Sequence, residues 1–274
     1  MSRGYFFIGF GKNYVDEVAA LVRTLNKFGN TYPISILCGE SDIDYCNSLN
    51  LFDNIILYDF QNDLSQYDAT HFEKYGGTPK IMMTDYSPYD ETIFTDSDML
   101  VQYNPNFLWD YMKSLNQPYI VTGGNTDSSN PLAVNFSKRN KLSMDEIYQI
   151  HSGLVYFDKN HKNFKNFIET LKFYWKNYYE ENLNIPYFRQ GKADEHAIFA
   201  TINILKIGGV IDPTKIPTIT HNYHNDIELP SKIVTGGNRY NVQAILEYPP
   251  PFIHMFRANG ENHYEILYER LINL

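Results

Sequence analysis

The sequence predicts an α/β fold in which a mostly parallel central sheet is flanked by helices. Two observations indicate this class. Short apolar runs alternate with helical patterns through the first half of the chain, which is typical of βαβ units. The chain also has 274 residues, enough for one large domain or two small ones with a substantial core. Because no internal repeat or low-complexity tail divides the sequence, we expect a single domain.

The first elements follow this alternation in order. A buried strand is predicted over residues 5–10, and a helix begins after it with Asn13 as its cap. Apolar side chains recur along this helix at positions i, i+3, i+4 and i+7, namely Val18, Leu21, Val22 and Leu25. The pattern then predicts a strand over 34–38, a helix over 42–49 and a strand over 54–60.

The rest of the chain is less regular. Pro79 suits the first turn of a helix over 78–86, and a buried strand over 91–95 ends at Asp96. Further helices are predicted over 105–115, 164–178 and 194–205. Further strands are predicted over 119–122, ending at Gly123 and Gly124, and over 154–157 and 252–256. Residues 125–142 are polar enough to predict a mobile loop.

Charge and cysteine content narrow the function. The chain carries 23 Lys and Arg against 32 Asp and Glu, a formal net charge of −9. This balance argues against nucleic-acid binding, and it means that any bound polyanion needs a local cation. The two cysteines, Cys38 and Cys46, are too few for a disulfide scaffold. No signal-peptide core and no membrane-length apolar run is present, so we expect a soluble, cytoplasmic protein without a transmembrane segment.

Two carboxylates directly follow the predicted strand over 91–95. Side chains two residues apart on an extended chain face the same side, so Asp96 and Asp98 can converge on one cation. Mg²⁺ and Mn²⁺ prefer such oxygen ligands and leave positions open for substrate phosphates. The carboxyl ends of strands are also where open α/β sheets place their sites. The alternative is a solvated acidic turn.

The segment from Lys80 to Asp98, a helix, a short turn, a strand and Asp-x-Asp, resembles glycosyltransferases with the GT-A fold. It is most similar to the retaining family eight, which includes glycogenin and bacterial galactosyltransferases. Further segments fit in the family's order: Ile8, Gly9, Phe10 and Gly11 with Tyr14, then His151, Ser152 and Gly153, then Lys192, Ala193, Asp194 and Glu195, then His254. The resemblance covers about residues 4–265. It implies one Rossmann-like GT-A domain over 1–274, with a nucleotide-binding half over about 1–122 and an acceptor and sugar half over about 123–274.

The resemblance also implies a role for particular residues. The implied metal ligands, for Mn²⁺ or Mg²⁺, are Asp96, Asp98 and His254. The implied nucleotide contacts are Ile8, Gly9, Phe10, Gly11, Tyr14, Lys80, Asp96 and Ser97. The implied sugar contacts are Gly123, Gly124, His151, Ser152 and Asp194. Asp194 is the first choice for the catalytic carboxylate beside the transferred sugar, and Glu195 is the second.

The implied function is metal-dependent transfer of a hexose from a nucleotide diphosphate sugar, most simply a UDP-sugar, with retention favoured. The acceptor is a hydroxyl of a glycan, protein or lipid, and the sequence indicates no oligomeric state. For single residues, structural alternatives stay open: a core tyrosine for Tyr14, a surface lysine for Lys80, a core histidine for His254, and helix capping for Asp194 and Glu195.

The chain also departs from the family pattern. The Lys-Pro-Trp ending that touches the diphosphate is missing, and Arg257 or His263 is the candidate replacement. His221 and His224 hold a metal only if His254 does not. Two other functions therefore stay open: a catalytically inactive GT-A-like protein that binds a sugar or nucleotide, and a sugar nucleotidyltransferase. The latter usually has a Gly-rich, basic loop after its first strand, which Lys12 alone does not provide.

Overall fold

A computed structural model describes residues 1–60, 77–126, 128–184, 192–212, 219–222, 252–255, 268–269 and 271–273. The described strands are β1 (Arg3–Ile8), β2 (Ile34–Cys38), β3 (Asn54–Leu57), β4 (Glu91–Thr95), β5 (Met99–Val101), β6 (Tyr119–Asn125), β7 (Tyr148–Asp158), β8 (Gly209–Ile211), β9 (Ile219–Asn222) and β10 (Phe252–Met255). The described α-helices are α1 (Lys12–Lys27), α2 (Ile43–Leu49), α3 (Thr78–Tyr86), α4 (Phe107–Ser114), α5 (Pro131–Asn140), α6 (Phe164–Lys176) and α7 (Asp194–Leu205).

Seven of the described strands form one sheet in the order β3-β2-β1-β4-β7-β6-β8. The β1–β2 and β6–β8 pairs are parallel, whereas β6 and β7 are antiparallel. The result is a mixed, mostly parallel sheet flanked by helices, which confirms the predicted fold class. A separate sheet has the order β5-β10-β9. In it, β10 pairs antiparallel with β5 and parallel with β9.

The chain divides into two compact units, each built from separate stretches of sequence. The first unit contains Met1–Arg3, Leu57–Ile93 and Leu115–Ile211. The second unit contains Gly4–Ile56, Phe94–Ser114 and Asp212–Leu274. The predicted single domain with halves meeting near residue 122 stays a prediction. No helix within the described ranges combines the length and apolar character needed to cross a membrane.

Aromatic side chains fill the interior of both units. In the second unit, the fully buried Trp109 packs edge-on against Tyr5, with ring centroids 5.3 Å apart, and contacts Tyr32 at 4.9 Å. In the first unit, Tyr119 stacks on Phe167 at 4.8 Å. Large rings contribute much of the apolar area that a core removes from water. A substantial part of the 16% aromatic content is therefore core.

The prediction of a mobile loop over 125–142 is wrong, because α5 occupies much of it. The Asn130 side chain accepts hydrogen bonds from Leu132 N at 3.1 Å and Ala133 N at 3.3 Å, which caps the helix. Pro131 follows in the first turn, where its missing N–H costs nothing. Phe136 anchors the buried face against Phe199, with centroids 5.3 Å apart. A cap and a few buried side chains are enough to form this helix, although the segment is polar overall.

Other predicted boundaries also move. The helix predicted to begin at Asn13 begins at Lys12 after Gly11, with no side-chain cap. The first strand ends at Ile8 rather than Phe10, and β3 ends at Leu57 rather than Phe60. β6 and β7 extend well beyond the predicted 119–122 and 154–157 because they pair with each other along most of their length. The short strands β5, β8 and β9 were not predicted.

Candidate active site

Three polar side chains of the first unit meet at the start of α7. The Asp194 carboxylate lies 3.3 Å from the Lys80 ammonium, through Oδ2 and Nζ. The Ser152 hydroxyl donates to the same carboxylate oxygen at 2.7 Å, and Lys80 donates to Ser152 Oγ at 3.4 Å. The side chains of Lys80 and Asp194 are only 16% and 14% exposed. The structure thus joins a predicted nucleotide contact, a predicted sugar contact and the first-choice catalytic residue.

Opposing effects act on the pKa of Asp194. Burial raises it, because a carboxylate loses solvation in the interior. The Lys80 charge and the hydrogen bonds from Ser152 and Lys80 act in the other direction, and the pKa lies below the usual aspartate value. A place at the N-terminus of a helix also favours the charged form. Asp194 is therefore an ionised carboxylate in a largely enclosed setting, which can stabilise a nearby positive charge.

Asp194 should make stability depend on pH in the acid range. Its pKa is lower in the folded than in the unfolded chain, so its charge stabilises the fold above the ordinary aspartate pKa of about 3.9. This contribution is lost as the pH falls through the folded-state pKa. We expect the wild type to lose more free energy of unfolding than Asp194→Asn between about pH 6 and about pH 3, measured by urea unfolding. Equal losses would contradict the ionised state.

Ser152 lies in a bulge of β7. The register of β6 with β7 shifts between Val121 and Thr122, so that residues 152–154 are extra residues on β7. Such bulges bend a strand and redirect its side chains, often beside active sites. The Thr122 hydroxyl donates to the His151 carbonyl at 3.1 Å and holds the strand where the regular pairing resumes. Ser152 is 6% exposed, within reach of the start of α7.

The neighbouring sugar-contact candidates lie on the same strand pair. His151 Nδ1 accepts a hydrogen bond from Gly153 N at 3.2 Å, so a neutral imidazole carries its proton on Nε2. A Cβ at Gly123 would lie 2.2 Å from the Gln149 carbonyl oxygen, so strand pairing requires this glycine. A Cβ at Gly124 would meet nothing within 4 Å. Of these two glycines, Gly124 is the one that leaves room for a ligand.

Two of the structural alternatives do not hold. Tyr14 is 52% exposed, so it is not a core tyrosine. Lys80 is mostly buried and ion-paired, so it is not a surface lysine. The capping alternative holds in part: the N-cap residue of α7 is Ala193, without a side-chain cap, but Asp194 and Glu195 are acids of the first helical turn, where they complement the helix dipole. Glu195 is partly buried there, next to Asp194.

The predicted nucleotide loop of the second unit follows β1. Gly11 has a φ of 82°, a conformation that favours glycine, and its N–H donates to the Asp42 carboxylate at 2.9 Å. A Cβ at Gly9 would approach side-chain atoms of Ile36 and Val15 at 3.3 and 3.4 Å. The chain between β1 and α1 is therefore closely packed at Gly9 and held by a buried carboxylate at Gly11. Ile8 ends β1, and Phe10 lies between the two glycines.

The Asp96–Asp98 segment forms the turn between β4 and β5, and its three side chains are partly buried. The Ser97 hydroxyl donates to Glu17 Oε2 at 2.7 Å, and Glu17 is 4% exposed on α1. Further along β5, Val101 N donates to the Thr24 hydroxyl at 3.0 Å. Because α1 holds the turn and the following strand at two points, the two aspartates have a defined place in the second unit.

The backbone of the third predicted metal ligand lies beside this turn. His254 pairs with Met99, the residue after Asp98, in the antiparallel β5–β10 pair. Facing residues in such pairs have Cα atoms about 4.5–5.5 Å apart. The His254 side chain is outside the described part of the structure, as are Arg257, His263 and His224. Among the described side chains, no three His, Cys, Asp or Glu residues form a group suited to a metal ion. Metal binding stays a prediction.

Sequence reasoning missed two residues that support these segments. Glu17 and Asp42 are buried carboxylates that accept hydrogen bonds from Ser97 and Gly11. A signal for Glu17 was present, because it stands four residues before Leu21 on the apolar face of α1. An acid on such a face needs a polar partner. Asp42 gives no comparable signal, because an acid near the start of a helix is common.

Comparison with known proteins identifies structural rather than sequence relatives. No protein-family model matches the sequence, and no curated protein matches it. The galactosyltransferase LgtC, solved with donor and acceptor sugar analogues, has a TM-score of 0.63 at 11% identity, over 98% of this chain and 95% of LgtC. The bifunctional glycosyltransferase WbbM has a TM-score of 0.64 at 14% identity, over 99% of this chain and 49% of WbbM. Mouse xyloside xylosyltransferase 1 has a TM-score of 0.57 at 9% identity, over 93% and 97%.

These similarities concern the fold. All three identities are below 15%, so function does not follow from them directly. The chain spans about half of WbbM, and nearly all of LgtC and the mouse enzyme. The arrangement of sheet and helices is therefore the GT-A fold, as the sequence predicted.

Proposed function

We propose that this protein transfers a hexose from a nucleotide diphosphate sugar, a UDP-sugar, to an acceptor hydroxyl with retention of anomeric configuration. The acceptor is a hydroxyl of a glycan, protein or lipid. The GT-A fold supports the general class, since LgtC, WbbM and the mouse xylosyltransferase are glycosyltransferases. The choice of a hexose, of UDP and of retention rests on the resemblance to family eight.

The observation that carries the proposal is the largely enclosed Asp194 carboxylate, which is paired with Lys80 and hydrogen-bonded by Ser152. Displacement at an anomeric carbon passes through a state with oxocarbenium character. A carboxylate fixed beside that carbon stabilises the developing positive charge more effectively than water, because it needs no reorganisation. Lys80 at 3.3 Å and Ser152 at 2.7 Å hold Asp194 in this charged form. Glu195 is the second candidate for this role.

The donor's nucleotide requires a different chemistry, for which the second unit holds candidate residues. Gly11, where a Cβ would meet nothing within 4 Å, permits close approach of a ribose or base, and the exposed Tyr14 offers a ring for stacking. The candidate metal ligands suit a hard divalent cation, because Asp96 and Asp98 share one turn and the His254 backbone lies beside it. When bound, Mn²⁺ or Mg²⁺ would neutralise the diphosphate leaving group. A protein of charge −9 would then accept a polyanion.

Donor turnover tests the proposal. The protein is incubated with UDP-glucose, UDP-galactose or UDP-N-acetylglucosamine and Mn²⁺, and UDP release is measured with and without a chelator. We expect release from at least one donor, abolished by the chelator. No release from any donor, together with no donor binding by calorimetry, would refute sugar transfer. Donor binding without release would instead favour the inactive binding protein.

A further inference from the structure

A single tyrosine oxygen links the N-cap residue of α7 to a residue of its first turn. Tyr178 Oη accepts a hydrogen bond from Ala193 N at 3.2 Å and lies 2.6 Å from His196 Nδ1. Ala193 is the N-cap residue and has no polar side chain to cap the helix. Asp194 and Glu195 lie between the two linked positions. Tyr178 therefore closes a clasp, formed by Tyr178, Ala193 and His196, around the candidate catalytic residues.

One hydrogen bond of the clasp has a fixed direction. The Ala193 N–H can only donate, so the Tyr178 oxygen accepts this bond. In the second bond, the Tyr178 hydroxyl donates to His196 Nδ1 when the neutral imidazole carries its proton on Nε2. Tyr178 and His196 are 1% and 7% exposed, and their rings lie 10° from parallel. Loss of the tyrosine oxygen would leave a buried imidazole nitrogen and a backbone N–H without this partner, which is costly in the interior.

The ring packing around the clasp also reaches the starts of α3 and α7. Tyr178 packs edge-on against Trp175, with centroids 6.2 Å apart. Lys192 Nζ, two residues before Asp194, lies 5.5 Å from the centroid of the same Trp175 ring. On another side, Trp175 is so close to Gly77 that a Cβ there would lie 2.5 Å from it. Gly77 and Lys192 precede α3 and α7, so both helices that carry the Lys80–Asp194 pair begin against Trp175.

We propose that Tyr178 is a positioning residue for sugar transfer, which sets the Asp194 carboxylate against Lys80 through the clasp. This inference rests on the proposed function. Tyr178 acts through Ala193 and His196 and is not itself a catalytic residue. Its effect should appear mainly in kcat, because the clasp acts through Asp194, whose proposed interaction strengthens in the transition state, and because Lys80 is the one implied nucleotide contact in this cluster. Small displacements of a catalytic group cost rate steeply.

The test compares two buried tyrosines of the first unit. Tyr178→Phe removes the clasp oxygen, and Tyr156→Phe removes a hydroxyl that donates to Glu91 at 3.1 Å instead. We expect Tyr178→Phe to lower kcat by about 10-fold or more, with the donor KM within about twofold. Tyr156→Phe should keep both within about twofold of the wild type. His196→Asn, whose amide oxygen can replace Nδ1 as an acceptor, should retain more activity than His196→Leu.

Hydrogen–deuterium exchange of residues 193–197 adds a readout that needs no activity. Faster exchange in Tyr178→Phe but not in Tyr156→Phe is expected, together with the fall in kcat. Faster exchange with an unchanged kcat would make the clasp structural only and overturn the proposal, as would unchanged exchange. If the wild type transfers no sugar from any donor, the proposed function fails. A fully active Tyr178→Phe variant removes only the positioning role.

Discussion

Replacing Asp194 by asparagine should lower kcat for sugar transfer by about 10²- to 10³-fold. The substitution keeps the size of the side chain but removes the charge that would face the oxocarbenium-like state. It also removes the negative charge that lies 3.3 Å from the Lys80 ammonium. The donor KM should change by less than about threefold, because the lost interaction strengthens only in the transition state.

Asp158→Asn is the matched control for this prediction. Asp158 is also a buried carboxylate of the first unit, but its Oδ1 accepts a hydrogen bond from Asn160 N at 2.9 Å. Initial rates over a range of donor concentrations separate kcat from KM for both variants. If Asp194→Asn keeps kcat within about threefold of the wild type, the carboxylate does not carry the reaction. A large loss in Glu195→Gln alone would transfer the role to Glu195.

Asp98→Asn should abolish the Mn²⁺-dependent part of donor turnover, a fall of about 10²-fold or more. An amide is a weaker ligand than a carboxylate for a hard cation, so the affinity for Mn²⁺ should fall as well. Calorimetric titration of Mn²⁺ in the presence of UDP measures this affinity without turnover. Asp110→Asn, which changes the same charge on the exposed side of α4 in the same unit, should leave rate and affinity unchanged.

This prediction also separates the enzyme from a binding protein. A metal-free, inactive sugar-binding protein would bind its glycan equally well with and without the Asp98 carboxylate. An enzyme loses turnover in Asp98→Asn, and excess Mn²⁺ restores part of it if the defect is weaker binding. Wild-type turnover in Asp98→Asn, with unchanged Mn²⁺ dependence, would contradict the proposed metal site.

Where local pattern decides the structure, the sequence predicts it well. The strands Ile34–Cys38 and Glu91–Thr95 and the helices Thr78–Tyr86 and Asp194–Leu205 have their predicted bounds. The strands are rich in β-branched and apolar residues, and the helix over Thr78–Tyr86 has a clear start signal in Pro79. The fold class followed from their alternation.

Where distant contacts decide, the sequence is less informative. Gly123 and Gly124 suggested the end of a strand, yet they lie inside β6 because Gln149 of the partner strand comes so close to Gly123. The polar segment 125–142 folds because Phe136 packs against Phe199, which is more than sixty residues away in the chain. Single-sequence patterns do not record such partners.

The candidate site shows the same division. Lys80, Ser152 and Asp194 were predicted as site residues, and the structure brings these three side chains together. The supporting residues Tyr178 and His196 were not predicted, because a buried tyrosine and histidine look like ordinary core. The sequence gives the net charge of −9, but only the structure shows that two of the acids, Glu17 and Asp42, accept internal hydrogen bonds.

Proton NMR of a single turnover reaction tests sugar transfer most directly. The donor identified by UDP release is mixed with the protein, Mn²⁺ and an acceptor that carries a free hydroxyl, and the anomeric signals are followed in time. We expect the donor's α-anomeric signal to be replaced by an α-linked product signal as UDP appears, and Asp194→Asn to slow this replacement. An unchanged donor signal with the wild-type protein would contradict sugar transfer, and a β-linked product would contradict retention.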